Sequence, residues 1–287
     1  MKDRLALGLA LILAFGVMTA WVEDDTWAVY VLYALVFGLG AVWSTAWLIR
    51  RPPVFCDIPA LLLWVLACWS GLQLFFGLTV NRWATMNAAL MWAADAVVYL
   101  VALQLFSKAS RRVRFLRWLL YGGVALSVEA LLQFYTANRK IFWIFDTHEQ
   151  RRIIMGPVPY HNHFAAIIAL ILPIGASIAV LSSRNFLFYG SLVGVLAGAV
   201  VASQSRAGTA LVVLELVVLA FSAGKSPVRP RLVRGAALLL LVTVWAALAG
   251  WQGLWTRLQH FDGSRAALFR LWRRNMAVRQ PDVCAQR

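Results

Sequence analysis

No face of the stretch Ala60-Leu61-Leu62-Leu63-Trp64-Val65-Leu66-Ala67 is polar, whether it is wound as a helix or extended as a strand. Runs of this kind recur along the chain and reach about 20 residues, the length at which a helix spans the ~30 Å hydrocarbon core of a bilayer. Backbone amides in hydrocarbon must be paired within the structure itself, which leaves helices and closed barrels as the ways across. Barrel strands alternate apolar and polar residues over short runs, and these segments do not alternate. The sequence therefore predicts an all-α fold, a polytopic transmembrane helix bundle of about nine spans. They are expected near residues 5–22, 27–49, 58–80, 83–106, 115–135, 163–181, 186–202, 207–223 and 235–255. Composition agrees: 62% hydrophobic and 14% charged residues over 287 positions exclude both a soluble globular chain and a disordered one. The first stretch lacks a small-residue cleavage site, because Trp21 stands where one would be needed and Glu23-Asp24-Asp25 follows. It is expected to be a retained span rather than a signal peptide.

Charge predicts the orientation. Even-numbered connections carry Arg50 and Arg51, then Lys108, Arg111, Arg112, Arg114 and Arg117, then Arg184, then Lys225, Arg229, Arg231 and Arg234, whereas the first connection is acidic. The positive-inside rule then puts the N-terminus in the cytoplasm. Of the 27 Lys and Arg, roughly 14 fall inside by this reading and roughly 13 outside. Apart from Arg82 and Arg206, the outer ones sit in residues 137–162 and after the ninth span. They either solvate extramembrane segments or attract an anionic substrate at the outer leaflet. Cys56, Cys68 and Cys284 lie in unrelated surroundings, and neither a disulfide nor a zinc pattern follows.

No Gly-rich phosphate loop, zinc helix or nucleophile elbow is present, so chemistry is sought at the ends of spans. Three outer segments each begin a helix, where unpaired amides and the positive dipole end favour anions. In Gly156-Pro157-Val158-Pro159-Tyr160-His161-Asn162-His163-Phe164-Ala165, a rigid turn leads to Asn162 as the expected N-cap. His161 and His163, without a nearby carboxylate, suit hydrogen bonding to a sugar or phosphate better than a metal. In Ser203-Gln204-Ser205-Arg206-Ala207-Gly208-Thr209, Arg206 stands between a capping serine and small residues that allow close helix approach. A snorkelling anchor is the plainer account of Arg206. The third segment, Phe261 to Met276, predicts an interfacial helix after the last span, with Leu268, Phe269, Trp272 and Met276 on one side. Arg270, Arg273 and Arg274 take the other side, and Arg265 falls in the apolar sector, toward the bundle. Within spans, Asp95, Glu129 and Glu215 should face the bundle interior or a wet cavity, either as a proton or ion path or as packing partners for arginines.

These segments, in their order and spacing, resemble the O-antigen ligase and polymerase family of bacterial envelope proteins. Gly156 to Ala165, followed by a span containing Pro173, is similar to the family's glycine, asparagine and asparagine-histidine-phenylalanine-alanine motif. Ser205-Arg206-Ala207-Gly208 resembles its serine-arginine-glycine motif, and Ser264-Arg265 through Trp272 to Pro281 resembles its arginine, tryptophan and terminal proline segment. The likeness covers about residues 60–281. It implies an inner-membrane glycosyltransferase with a polyprenyl-pyrophosphate-linked glycan as donor and a glycan, lipid A-core or protein as acceptor. By the same likeness Arg206 and Arg265 hold the pyrophosphate and Asn162, His163 and Ser205 form the site wall, with no metal, no cofactor and no nucleic acid. Membrane lipid is the other expected partner. Residues 1–255 are then the transmembrane bundle and 256–287 a periplasmic amphipathic segment, the start of a large loop that is cut short. The family places its catalytic histidine in that loop; His260 precedes the arginine helix, so the catalytic residue is unknown. A transporter or flippase for an anionic or lipid-linked substrate, with Asp95, Glu129 and Glu215 as coupling groups, is the alternative expectation.

Overall fold

The computed structural model describes residues 2–19, 27–51, 54–137, 140–146, 155–158, 160–181, 185–222 and 228–248. They form α1 (Lys2–Met18), α2 (Trp27–Arg50), α3 (Ile58–Phe75), α4 (Arg82–Leu105), α5 (Ala109–Thr136), a hairpin of β1 (Lys140–Ile141) and β2 (Phe145–Asp146), then α6 (His161–Leu181), α7 (Phe186–Ala202), α8 (Arg206–Ser222) and α9 (Val228–Leu248). Apart from this one short hairpin the described elements are helices, and their apolar character makes the chain a multi-pass membrane protein. Five helices, α2 to α6, are long and apolar enough to cross a bilayer, while 186–202 and 235–247 are shorter apolar helices.

Local chemistry sets the helix ends. Asp57 caps α3 by accepting a hydrogen bond from the Ala60 amide, and Asn81 caps α4 in the same way through the Ala84 amide. The third apolar stretch was expected to run to residue 80, but α3 stops at Phe75. Gly77 takes φ +66, and the Leu78 amide returns to the Gln73 carbonyl, the glycine-closed terminus that satisfies the last carbonyls. In the opposite sense α5 begins at Ala109, six residues before the expected 115, because its basic first turns stay helical beyond the apolar run.

The helices gather around two centres. On one side α1, α2 and α4 pack through Leu5, Val101 and Leu105 and through Ile12, Val36 and Ala94. The Tyr30 hydroxyl donates to Asn87 Oδ1 between α2 and α4. Helix α3 lies along α4 and leaves Leu61, Leu62, Val65 and Trp69 exposed, as a lipid-facing helix does. On the other side α5 to α9 build the main core around α7. Helix α7 is one of the two shortest helices in this half, yet 11 of its 17 residues are buried, because glycine and alanine let its neighbours come close. At Gly194 the Trp245 indole of α9 occupies the space a Cβ would take. The loop after α5 is tied down from below. Gln133, buried in α5, donates from Nε2 to the Gly156 carbonyl (3.0 Å) and accepts from the Phe142 amide (2.8 Å). The Trp143 indole donates to Thr136 Oγ1 at 2.8 Å. These bonds hold Phe142 and Trp143 in left-handed backbone, φ 51 and 61, at the tip of the hairpin.

Candidate functional site: two helix starts side by side

Helices α6 and α8 begin next to each other. The turn between α7 and α8 is three residues long and buried at both ends, with Ser203 and Ser205 at 0% and 1% exposure. Ser203 Oγ donates to the Val200 carbonyl, closing α7. Gln204 then adopts φ +57 and reverses the chain. Ser205 caps α8: its Oγ accepts from the Gly208 amide at 3.2 Å, and its carbonyl receives both the Thr209 amide and the Thr209 hydroxyl. The same Oγ donates to Asn162 Oδ1 of α6 at 2.8 Å. That bond joins two segments 43 residues apart. One turn deeper, a Cβ at Gly208 would stand 2.5 Å from the Ala165 Cβ, so glycine is what permits the two helices to meet.

The outcome is a pair of helix N-termini side by side, with Arg206 as the first residue of α8 and Asn162 and His163 in the first turn of α6. All three side chains are exposed, whereas Phe164, Ala165 and Ile168 just below are fully buried. Asn162 was expected to cap α6. The helix instead starts at His161, with the Phe164 amide bonded to the Tyr160 carbonyl, and Asn162 spends its oxygen on Ser205. The His163 ring lies against Tyr160, centroids 5.2 Å apart and tilted by 57°. Two aligned dipoles, two sets of first-turn amides and one guanidinium together favour an anion with several oxygens, such as a phosphate ester. Arg265 lies outside the described residues, as does the expected interfacial helix.

The turn leading into α6 packs on Glu129, one of the carboxylates expected to face the bundle interior. Met155 and Val158 pair across Gly156 and Pro157, and Gly156, at φ +59, sits directly on Glu129 Oε2 of α5. Both Glu129 oxygens and Oε2 of Glu215 are buried without a hydrogen-bond partner among the described residues. Asp95, between the buried Ala94 and Ala96 of α4, is exposed, so of its two expected settings the closed bundle interior is not the one it takes. Gln133, which fixes the loop, carried no signal beyond a lone amide inside an apolar run, whereas Gly208 was among the small residues expected to allow close helix approach, and it does so here. Among the described residues no three His, Cys, Asp or Glu side chains gather to hold a metal ion. Compared with known proteins, the chain matches no family model, no curated protein and no solved structure.

Proposed function

We infer that this chain belongs to the machinery of lipid-linked glycan transfer, as an O-antigen ligase- or polymerase-like protein of the bacterial inner membrane. In this reading it has nine spans with a cytoplasmic N-terminus, and the starts of α6 and α8 face the periplasm. They receive the pyrophosphate of a polyprenyl-linked glycan donor. An acceptor hydroxyl attacks the first sugar carbon, the pyrophosphate leaves, and Arg206 with Arg265 neutralises the charge that develops on it. Asn162, His163 and Ser205 line the wall. The observation that carries the reading is the Ser205–Asn162 bond, which brings two of the three motif-bearing segments together.

Binding of a polyprenyl-pyrophosphate glycan to the purified chain tests it. Charge-assisted hydrogen bonds contribute roughly 1.5 to 3 kcal/mol, so Arg206→Ala should weaken binding by about 10- to 100-fold and added salt should weaken it further. Equal affinity for both proteins would remove the pyrophosphate clamp. The buried and unpartnered oxygens of Glu129 and Glu215 favour a second reading, a transporter that couples protons to an anionic or lipid-linked substrate. It predicts glycan-independent, proton-driven uptake into vesicles that Glu129→Gln abolishes and Arg206→Ala spares.

A further inference from the structure

A marked charge asymmetry among the described residues lies at the opposite end of α5 from the turn that leads into α6, where α5 begins. Helix α5 has 28 residues, about 42 Å at 1.5 Å per residue, against a hydrocarbon core of ~30 Å. About eight residues must therefore project beyond the hydrocarbon, and the sequence shows which. Lys108, Arg112, Arg114 and Arg117 lie in the first turns and are exposed, and the apolar run follows them. Trp118 stands next, also exposed, and Phe115 stacks on Phe106 at the end of α4, with centroids 4.2 Å apart. A tryptophan at this depth marks the level of the interface. The cations therefore sit at the level of the headgroups.

The neighbouring helix start adds to the same patch. Asp3 Oδ1 lies 3.7 Å from Arg114 Nη1, which places Lys2 and Arg4 of α1 beside α5. Asp3 is the one acid there, and with side chains 58% and 68% exposed the pair is weak. Asp57, at the nearby start of α3, is engaged in capping Ala60 and in accepting the Tyr99 hydroxyl. No acidic residue lies in the first turn of α5, so its cations stand against an unfavourable helix dipole. Six cations against one loosely held carboxylate, laid around a helix that leaves the hydrocarbon, need a counter-charge at that depth.

We propose that the projecting start of α5, with the start of α1, is a docking surface for the anionic phospholipid headgroups of the adjoining leaflet. Each cation at this level should favour an anionic over a zwitterionic lipid by about 5-fold, so three of them give a preference on the order of 100-fold. The surface is independent of any glycan chemistry at α6 and α8, and holds whichever leaflet this end faces.

The test equilibrates the full chain in detergent with equimolar phosphatidylglycerol and phosphatidylcholine and counts bound lipid by native mass spectrometry. Phosphatidylglycerol should be retained selectively, and the combined Lys108→Gln, Arg112→Gln and Arg117→Gln chain should lose most of that selectivity. Arg82→Gln, at the other end of α4, should leave it unchanged. Because a headgroup surface reads charge rather than side-chain shape, Arg112→Lys with Arg117→Lys should keep the selectivity while reporting intact folding by its unchanged helicity. Absence of selectivity, its survival in the triple variant, or its loss in the lysine variant overturns the proposal. Displacement of phosphatidylglycerol by millimolar inorganic phosphate also overturns it, since that marks a free-anion site.

Discussion

Ser205 does three things with one hydroxyl and one carbonyl: it caps α8, binds Asn162, and receives Thr209. Removing the hydroxyl leaves the buried Gly208 amide without its cap and the Asn162 oxygen without its donor. Caps of this kind contribute about 0.5 to 2 kcal/mol. Ser205→Ala should therefore lower stability by about 1 to 2 kcal/mol, read as a lowered thermal midpoint in detergent. Asn162→Ala should cost less, because its backbone keeps its helical bonds. If the hydroxyl and the amide oxygen meet as described, the double variant should fall short of the sum of the two singles by at least about 0.5 kcal/mol. Strict additivity would mean that the two helix starts are not joined. Arg206 should show the reverse pattern. It is exposed, so Arg206→Ala should lower the thermal midpoint less than Ser205→Ala does, while its larger effect falls on anion binding.

Helix α7 shows at the element scale how small residues stand in for length. Its 17 residues reach only about 26 Å, yet it is the centre of the larger half of the molecule because Gly190 and Gly194 admit α9. Gly194→Ala should push Trp245 from its place and cost about 1 to 3 kcal/mol, and Trp245→Ala added to it should recover part of that loss. A thermal midpoint for the double variant no higher than that of Gly194→Ala would place the helix contact elsewhere. The existence of the elements was legible in the sequence wherever apolar length decides, since hydrocarbon permits little besides a helix. Their ends were less legible because other forces set them. Leu78 and Val80 continue the apolar run after α3, but the left-handed backbone of Gly77 has already closed the helix. Arg111 to Arg117 break the apolar run before α5 without breaking its hydrogen bonds. For the site, Ser205, Arg206 and Asn162 could be singled out by type and position, but their contact depends on Gly208 meeting Ala165 across 43 residues of chain. Asp95 is exposed because its flanking alanines, not its carboxylate, choose the packing face of α4.

At the scale of the whole molecule, topology and function are tied by the side on which each helix begins. Helices α6 and α8 start together, at one end of the bundle. With α5, α6 and α7 running in alternate directions, that end is opposite the start of α5 and opposite the connection from α2 to α3. Cys56 stands in that connection, exposed, beside the Phe55 backbone that exchanges two hydrogen bonds with Gln104 at the end of α4. It is therefore a reporter for the side away from the paired helix starts. In a Cys68→Ser, Cys284→Ser background, a membrane-impermeant thiol reagent should label Cys56 in inverted vesicles and not in intact spheroplasts. Cys68 alone, in the lipid-facing middle of α3, should react on neither side. Labelling of Cys56 from outside would reverse the bundle and turn Ser205, Arg206 and Asn162 toward the cytoplasm. A polyprenyl-pyrophosphate glycan waiting for transfer in the periplasm could not reach them there, so this labelling pattern decides the orientation and the donor-site reading in one measurement.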